Sequence, residues 1–266
     1  MKRTKIAFRE YIQTKHTMET PNNRNTAAGA LIIGICVIVT AIILGGAWKK
    51  THDTHDTISV TGLAQEDFTS DLITWSGDFS QRAMSLKEAY ALLKRDADIV
   101  RSYLKGKGVK EAEIVFSAVN INKQFKTLYN DKGESVGSEF DGYLLGQTVT
   151  IESHEVDKIE KLAREVTELI DSGVELSSGS PEYFYTKLAD LKIKMLANAT
   201  KDARTRAENI ADNAGSDIGN LRKATMGIFQ ITAQNSSEDY SWGGAYNTSS
   251  KRKSASITVK LEFEID

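Results

Sequence analysis

Between Arg24 and Lys49 the chain carries no charged residue. Thr26 to Ala47 reads TAAGALIIGICVIVTAIILGGA. As a helix this run would reach about 33 Å, enough for a hydrocarbon core about 30 Å thick. Leu, Ile and Val supply much of it, each favouring the bilayer centre by about 0.3–0.6 kcal/mol. Trp48, Lys49 and Lys50 follow, an indole for the interface and two cations for the headgroups. Leu31, Ile35, Ile38, Ile42, Trp48 and Lys49 are the expected anchor residues, with the lipid bilayer as partner.

The flanks set the expected orientation. Lys2, Arg3, Lys5, Arg9, Lys15 and Arg24 precede the apolar run, and only Lys49 and Lys50 lie close behind it. Positive charge stays in the cytoplasm, which places residues 1–25 inside, a span over 26–48, a polar stalk over 49–57 and the bulk of the chain outside. The rival is a cleaved signal peptide. Gly45 and Ala47 are small enough for a cleavage site, but the run exceeds the usual 7–15 residue core. Ala30-xxx-Gly34 and Ala41-xxx-Gly45 have the small-xxx-small spacing that lets two helices approach.

Among 266 residues there is one cysteine, Cys36, inside the apolar run, so the exported part has no thiol. That suits an oxidising compartment. Net charge is −2, so there is no basic excess to neutralise phosphates and nucleic acid is not an expected partner.

Beyond the stalk, alternation and helical stripes interleave. Ile58, Val60 and Gly62 begin one strand pattern, and Ile73, Trp75, Gly77 and Phe79 share a face of the next. Ser85 to Lys105 reads as a helix, opened by a Ser85/Glu88 capping box and striped by Leu86, Tyr90, Leu93, Ala97, Val100 and Leu104. Glu113 to Phe125, the turn Asn130–Gly133, and Tyr143, Leu145, Gln147, Val149 and Ile151 predict a hairpin. Ser153 is the expected N-cap of a helix closed near Gly173, and a short strand is expected between Val174 and Tyr185. The longest helix outside the membrane run is predicted from Tyr185 to Ala214. Its stripe is Leu188, Leu191, Met195, Ala199, Ala203, Ala207, Ile210 and Ala214, stopped by Gly215. A last strand pair covers Thr225–Gln234 and Ser254–Ile265. The predicted class is α+β: antiparallel strand pairs covered by helices behind one N-terminal transmembrane helix.

Val60-Thr61-Gly62, Trp75, Gly142-Tyr143 and the segment Ala211-Asp212-Asn213-Ala214-Gly215 with Ile218-Gly219 come in an order that resembles the SIMPL-domain family over residues 58–265. The resemblance implies a bacterial envelope protein, periplasmic or surface-facing. It implies a fold some of whose members form ring- or cage-like homo-oligomers, and a proposed part in tolerance of oxidative stress. It brings no catalytic motif. Two features depart from the family pattern: the long basic leader with a full-length span, and the insertion Ser236–Lys253 between the last two strands.

No constellation for catalysis, cofactor or metal emerges. His52-Asp53 and His55-Asp56 carry ligand types for zinc or copper, but a stalk offers no fixed geometry. His154, between Glu152 and Glu155, reads as an exposed polar residue. Ser236–Lys253 holds the aromatic residues Tyr240, Trp242 and Tyr246, a Gly243-Gly244 pair expected to be mobile, and a compact positive cluster at Lys251, Arg252 and Lys253. The three aromatics are the expected contacts with a second copy or an envelope protein partner. The function expected is that of a membrane-anchored structural or interaction protein that homo-oligomerises; the alternative is a ligand- or partner-binding module. An enzyme is not expected.

Overall fold

A computed structural model describes residues 23–51, 56–238 and 241–265, with the side chains of 23–28 and 49–51 excepted. The chain divides into two units at Asp56.

The described part of the first unit is essentially one helix, α1 (Asn23–Thr51). Gly29–Trp48 within it is long and apolar enough to cross a membrane, and none of that stretch is buried in protein. It therefore serves either as an anchor or as a signal sequence. Leu31, Ile35, Ile38, Ile42 and Trp48 are all exposed, as lipid-facing side chains would be. The Lys49 side chain lies outside the described residues, as do the basic leader up to residue 22 and His52, Asp53 and His55.

The second unit has two antiparallel sheets, each with its own core. In the first, β1 (Thr57–Thr69) pairs along its whole length with β10 (Arg252–Ile265), so the two ends of the domain lie side by side. β8 (Ile218–Met226) and β9 (Gln230–Ala233) pair with the other side of β10. Helix α4 (Leu188–Ala214) covers this sheet. Its buried stripe is Leu191, Met195, Ala199, Ala203, Ala207 and Ala211. Ile210 and Ala214 of the predicted stripe are exposed, because the buried contact keeps stepping four residues at a time, from Ala203 to Ala207 to Ala211, and so winds away from them on a helix of 3.6 residues per turn. At the outer edge of β1, the Leu63 amide donates to Asp202 Oδ2 of α4 at 2.8 Å. That bond, with Arg206 beside it, holds the Asp202 carboxyl below its usual range.

In the second sheet, β5 (Ser135–Ser153) lies between β2 (Leu72–Ala83) on one side and β3 (Ile114–Phe116) and β4 (Asn120–Tyr129) on the other. β6 (Leu176–Ser178) and β7 (Glu182–Phe184) complete it along β2. Helices α2 (Leu86–Gly106) and α3 (Val156–Glu165), the latter continued by a tight turn through Ser172, bury Leu93, Val100, Leu104, Ile159 and Leu162 against Ile73, Trp75, Leu145 and Ile151. Ile73, Trp75, Gly77 and Phe79 do share the buried face, and the Trp75 indole donates to Ser178 Oγ at 3.0 Å. The α+β class stands, with the first two strands divided between the sheets.

Local expectations fail where chemistry competes with pattern. Ser85 takes the N-cap position of α2 but its side chain makes no cap bond. Leu86 and Tyr90 are exposed, while Ala89 and Asp96 are buried. Asp96 is tolerated there because Gln81 Nε2 and the Arg95 fork donate to its carboxylate. The predicted strand Glu113–Phe125 breaks after Phe116, where Ser117 turns its Oγ to the Thr148 amide at 3.0 Å. Glu155, not Ser153, takes the N-cap position of α3, also without a side-chain cap bond; the buried Ser153 hydroxyl accepts the Glu155 amide and donates to Glu113. The strand expected over Thr225–Gln234 starts earlier, at Ile218, and is interrupted by Gly227–Phe229.

Candidate functional site

Two surfaces of the domain are built in a way that folding alone does not require. The first is a ribbon. β2 pairs with β5 only from Tyr143 onward, whereas β4 pairs with it back to Ser135. Gln124–Tyr129 and Ser135–Gly142 therefore project as two strands without a third among the described residues. Asn130 Oδ1 accepts the Lys132 and Glu134 amides in the turn between them. A bulge at Asp141 keeps Phe140 on the face of Tyr143. It depends on Gly142, whose φ is +105° and where any Cβ would press on the Ala83 carbonyl. Phe125 meets Phe140 edge to face at 5.9 Å, and Phe140 meets Tyr143 at 5.2 Å. This aromatic row starts at the core and runs out along a face where Ile121, Phe125 and Tyr129 are exposed. Two-stranded ribbons are marginal in water, and an apolar face on one lacks the cover a core residue needs.

The second surface is the Ser236–Lys253 insertion, which is held in place rather than free. The buried Gln230 of β9 donates from Nε2 to the Ser241 carbonyl at 2.8 Å. Its Oε1 accepts the Ala245 amide at 2.7 Å and the Ser241 amide at 3.3 Å. Ile231 exchanges backbone bonds with Ala245 and Asn247. The Gly243-Gly244 pair closes a turn, with the Gly244 amide on the Ser241 carbonyl. Trp242 at its tip is 96% exposed. Tyr246 lies back on the domain, 6.5 Å from the Phe184 ring and over Lys253. Tyr240 is outside the described residues.

The expected positive cluster does not form. Lys251 is paired with Asp157 and Glu160 of α3, the Asp157 bond being the main reason its ammonium holds its proton more tightly than usual. Lys253 is buried, 1% exposed, and its Nζ donates to the carbonyls of Tyr183 and Asn247. Loss of solvation lowers its pKa to about 8. The alternation of β10 turns this residue inward, which a charge count along the sequence does not register.

His154 sits at the β5–α3 junction, exposed, with Nδ1 2.7 Å from the Asp71 carbonyl oxygen. The Asp71 carboxylate accepts the Thr186 amide and hydroxyl, both at 2.7 Å. Burial raises the Asp71 pKa, but these bonds and His154 outweigh it, and the net shift is downward. Among the described residues no group of three His, Cys, Asp or Glu side chains is placed to hold a metal ion.

Two antiparallel sheets, each covered by helices, define an α+β domain that follows one apolar N-terminal helix in the sequence. The chain belongs to the SIMPL family (protein of unknown function, DUF541), whose model matches residues 58–264. That match runs from the second residue of β1 to the next-to-last residue of β10, so both sheets and the insertion fall within it. No curated protein matches the chain.

Proposed function

We propose that this protein is a membrane-anchored structural and interaction protein of the bacterial envelope that homo-oligomerises into a ring- or cage-like scaffold and acts without catalysis. α1 is the anchor, in the inner membrane, with the N-terminus cytoplasmic and the domain periplasmic. The observation that carries the reading is the uncovered aromatic face of the β4–β5 ribbon. Among the described residues β4 pairs only with β5, and lysines such as Lys123 and Lys126 on an edge strand disfavour strand addition, which leaves the face as the contact. Tethering holds copies in one plane and raises their effective concentration, so a modest contact suffices. A link to stress tolerance rests on the family resemblance alone.

Light scattering on the full chain in detergent tests this. Wild type is expected as a closed oligomer. Phe125→Ser with Phe140→Ser is expected to reduce its mass while leaving the circular dichroism unchanged. Equal masses for the two proteins would remove the ribbon as the contact. A second reading, a ligand- or partner-binding module, is favoured by the cleft beside Trp242.

A further inference from the structure

The geometry points to a binding site for a neutral sugar ring in the cleft between β1, β10 and the Trp242 turn. The cleft has a volume of about 530 Å³, within the range of small-molecule sites. It opens on the face of the first sheet turned away from α4, where Leu63 stands opposite Thr258 and Gln65 opposite Ser256. Leu63, Ile228 and Trp242 are its exposed apolar walls. Gln230, Ser241, Ser256 and Thr258 supply the polar groups.

Three features decide the ligand chemistry. Among the described residues no ionisable side chain lines the cleft, so a charged ligand would lose hydration with none of them to replace it. Neither the Ser256 nor the Thr258 hydroxyl has a partner among the described residues. A Cβ at Gly227 would collide with the Thr258 hydroxyl, so glycine there leaves that oxygen open. A purely aliphatic ligand would strip water from both hydroxyls and leave them unpaired, which is costly. The third feature is the indole of Trp242, a flat platform on a turn already fixed by Gln230. A sugar ring matches all three. Its C–H face lies on an aromatic ring, its rim of hydroxyls both donates and accepts, and it carries no charge. Because the turn is held before any ligand arrives, little ordering cost is added on binding. The proposal gives the ligand-binding reading a ligand class and is independent of the ribbon contact, since its readout is occupancy and not mass.

The test uses the full chain in lipid nanodiscs, which avoids sugar-headed detergents, titrated with maltotriose and with chitobiose. That chain carries Trp48→Phe, and Trp75 is fully buried, so acrylamide quenching reports on Trp242. At least one sugar is expected to shift the emission to the blue and protect it from acrylamide, saturably. By calorimetry, Trp242→Ala is expected to weaken that binding tenfold or more, and Trp242→Phe less. Ser256→Ala with Thr258→Val is expected to weaken it about tenfold while the melting temperature stays close to wild type. No saturable protection by either sugar up to tens of millimolar would overturn the proposal. So would binding that the two hydroxyl substitutions leave unchanged, which would mark the cleft as an apolar contact for a protein side chain.

Discussion

Gly62 of β1 packs so closely on Ala203 of α4 that a methyl group at Gly62 would overlap the Ala203 amide nitrogen and its methyl. The contact joins the first strand of the domain to the middle of its longest helix. It explains why alanines fill the buried stripe there: larger side chains at Ala199 or Ala203 would hold the helix off the sheet. Gly62→Ala is therefore expected to cost about 1–3 kcal/mol through overpacking. In a domain of this size that lowers the melting temperature by about 2–4 °C per kcal/mol, read by circular dichroism. A melting temperature equal to wild type would mean that α4 can retreat without penalty.

Lys253 makes stability depend on alkaline pH. Its pKa falls from an ordinary 10.5 to about 8 on folding because burial disfavours the ammonium. Between about pH 8 and 10.5 the unfolded chain holds this proton and the folded chain does not, so stability rises with pH through that window. Below about pH 8 both states hold it, and the folded state bears the full cost of burying the charge. The shift corresponds to a gain on the order of 3 kcal/mol across the window. Chemical denaturation of wild type and Lys253→Met at several pH values checks this. The difference in unfolding free energy, wild type minus variant, is expected to grow between pH 8 and 10.5, and a flat difference would contradict it.

Gln230 fixes the insertion through three hydrogen bonds to Ser241 and Ala245. Gln230→Ala removes all three but touches no helix contact. Limited proteolysis is expected to cut the variant within residues 236–250 faster than wild type, with the unfolding free energy lowered by no more than about 2 kcal/mol. Cleavage at the wild-type rate would show that Ile231 and Asn247 hold the segment without the Gln230 side chain.

The sequence made the apolar helix and most sheet and helix faces legible because period-2 and period-3.6 patterns register burial directly. Ile73, Trp75, Val149 and Ile151 are read this way, as are Ala199, Ala203 and Ala207. What pairs with what was not legible. β1 finds β10 across nearly the whole domain, and no local pattern encodes so distant a partner. The ribbon was hidden for a related reason. Its residues alternate like any strand, and only the absence of a third strand beside Ser135–Asp141 exposes them. The insertion was singled out by its aromatics and length. The way it is held was not visible, because Gln230 lies outside the insertion and Lys253, conspicuous only as part of a positive cluster, is turned into a buried position. Leu63 and Ile228, which form the cleft with Trp242, are single apolar residues with no pattern of their own.

The tethered-scaffold account depends most on α1 remaining in the bilayer. Membranes from cells making the full chain, washed with alkaline carbonate and followed by N-terminal sequencing, address it directly. A retained anchor leaves the protein in the pellet with its first residues intact. Recovery in the supernatant, beginning after Ala47, would mean that the apolar helix is a signal removed on export.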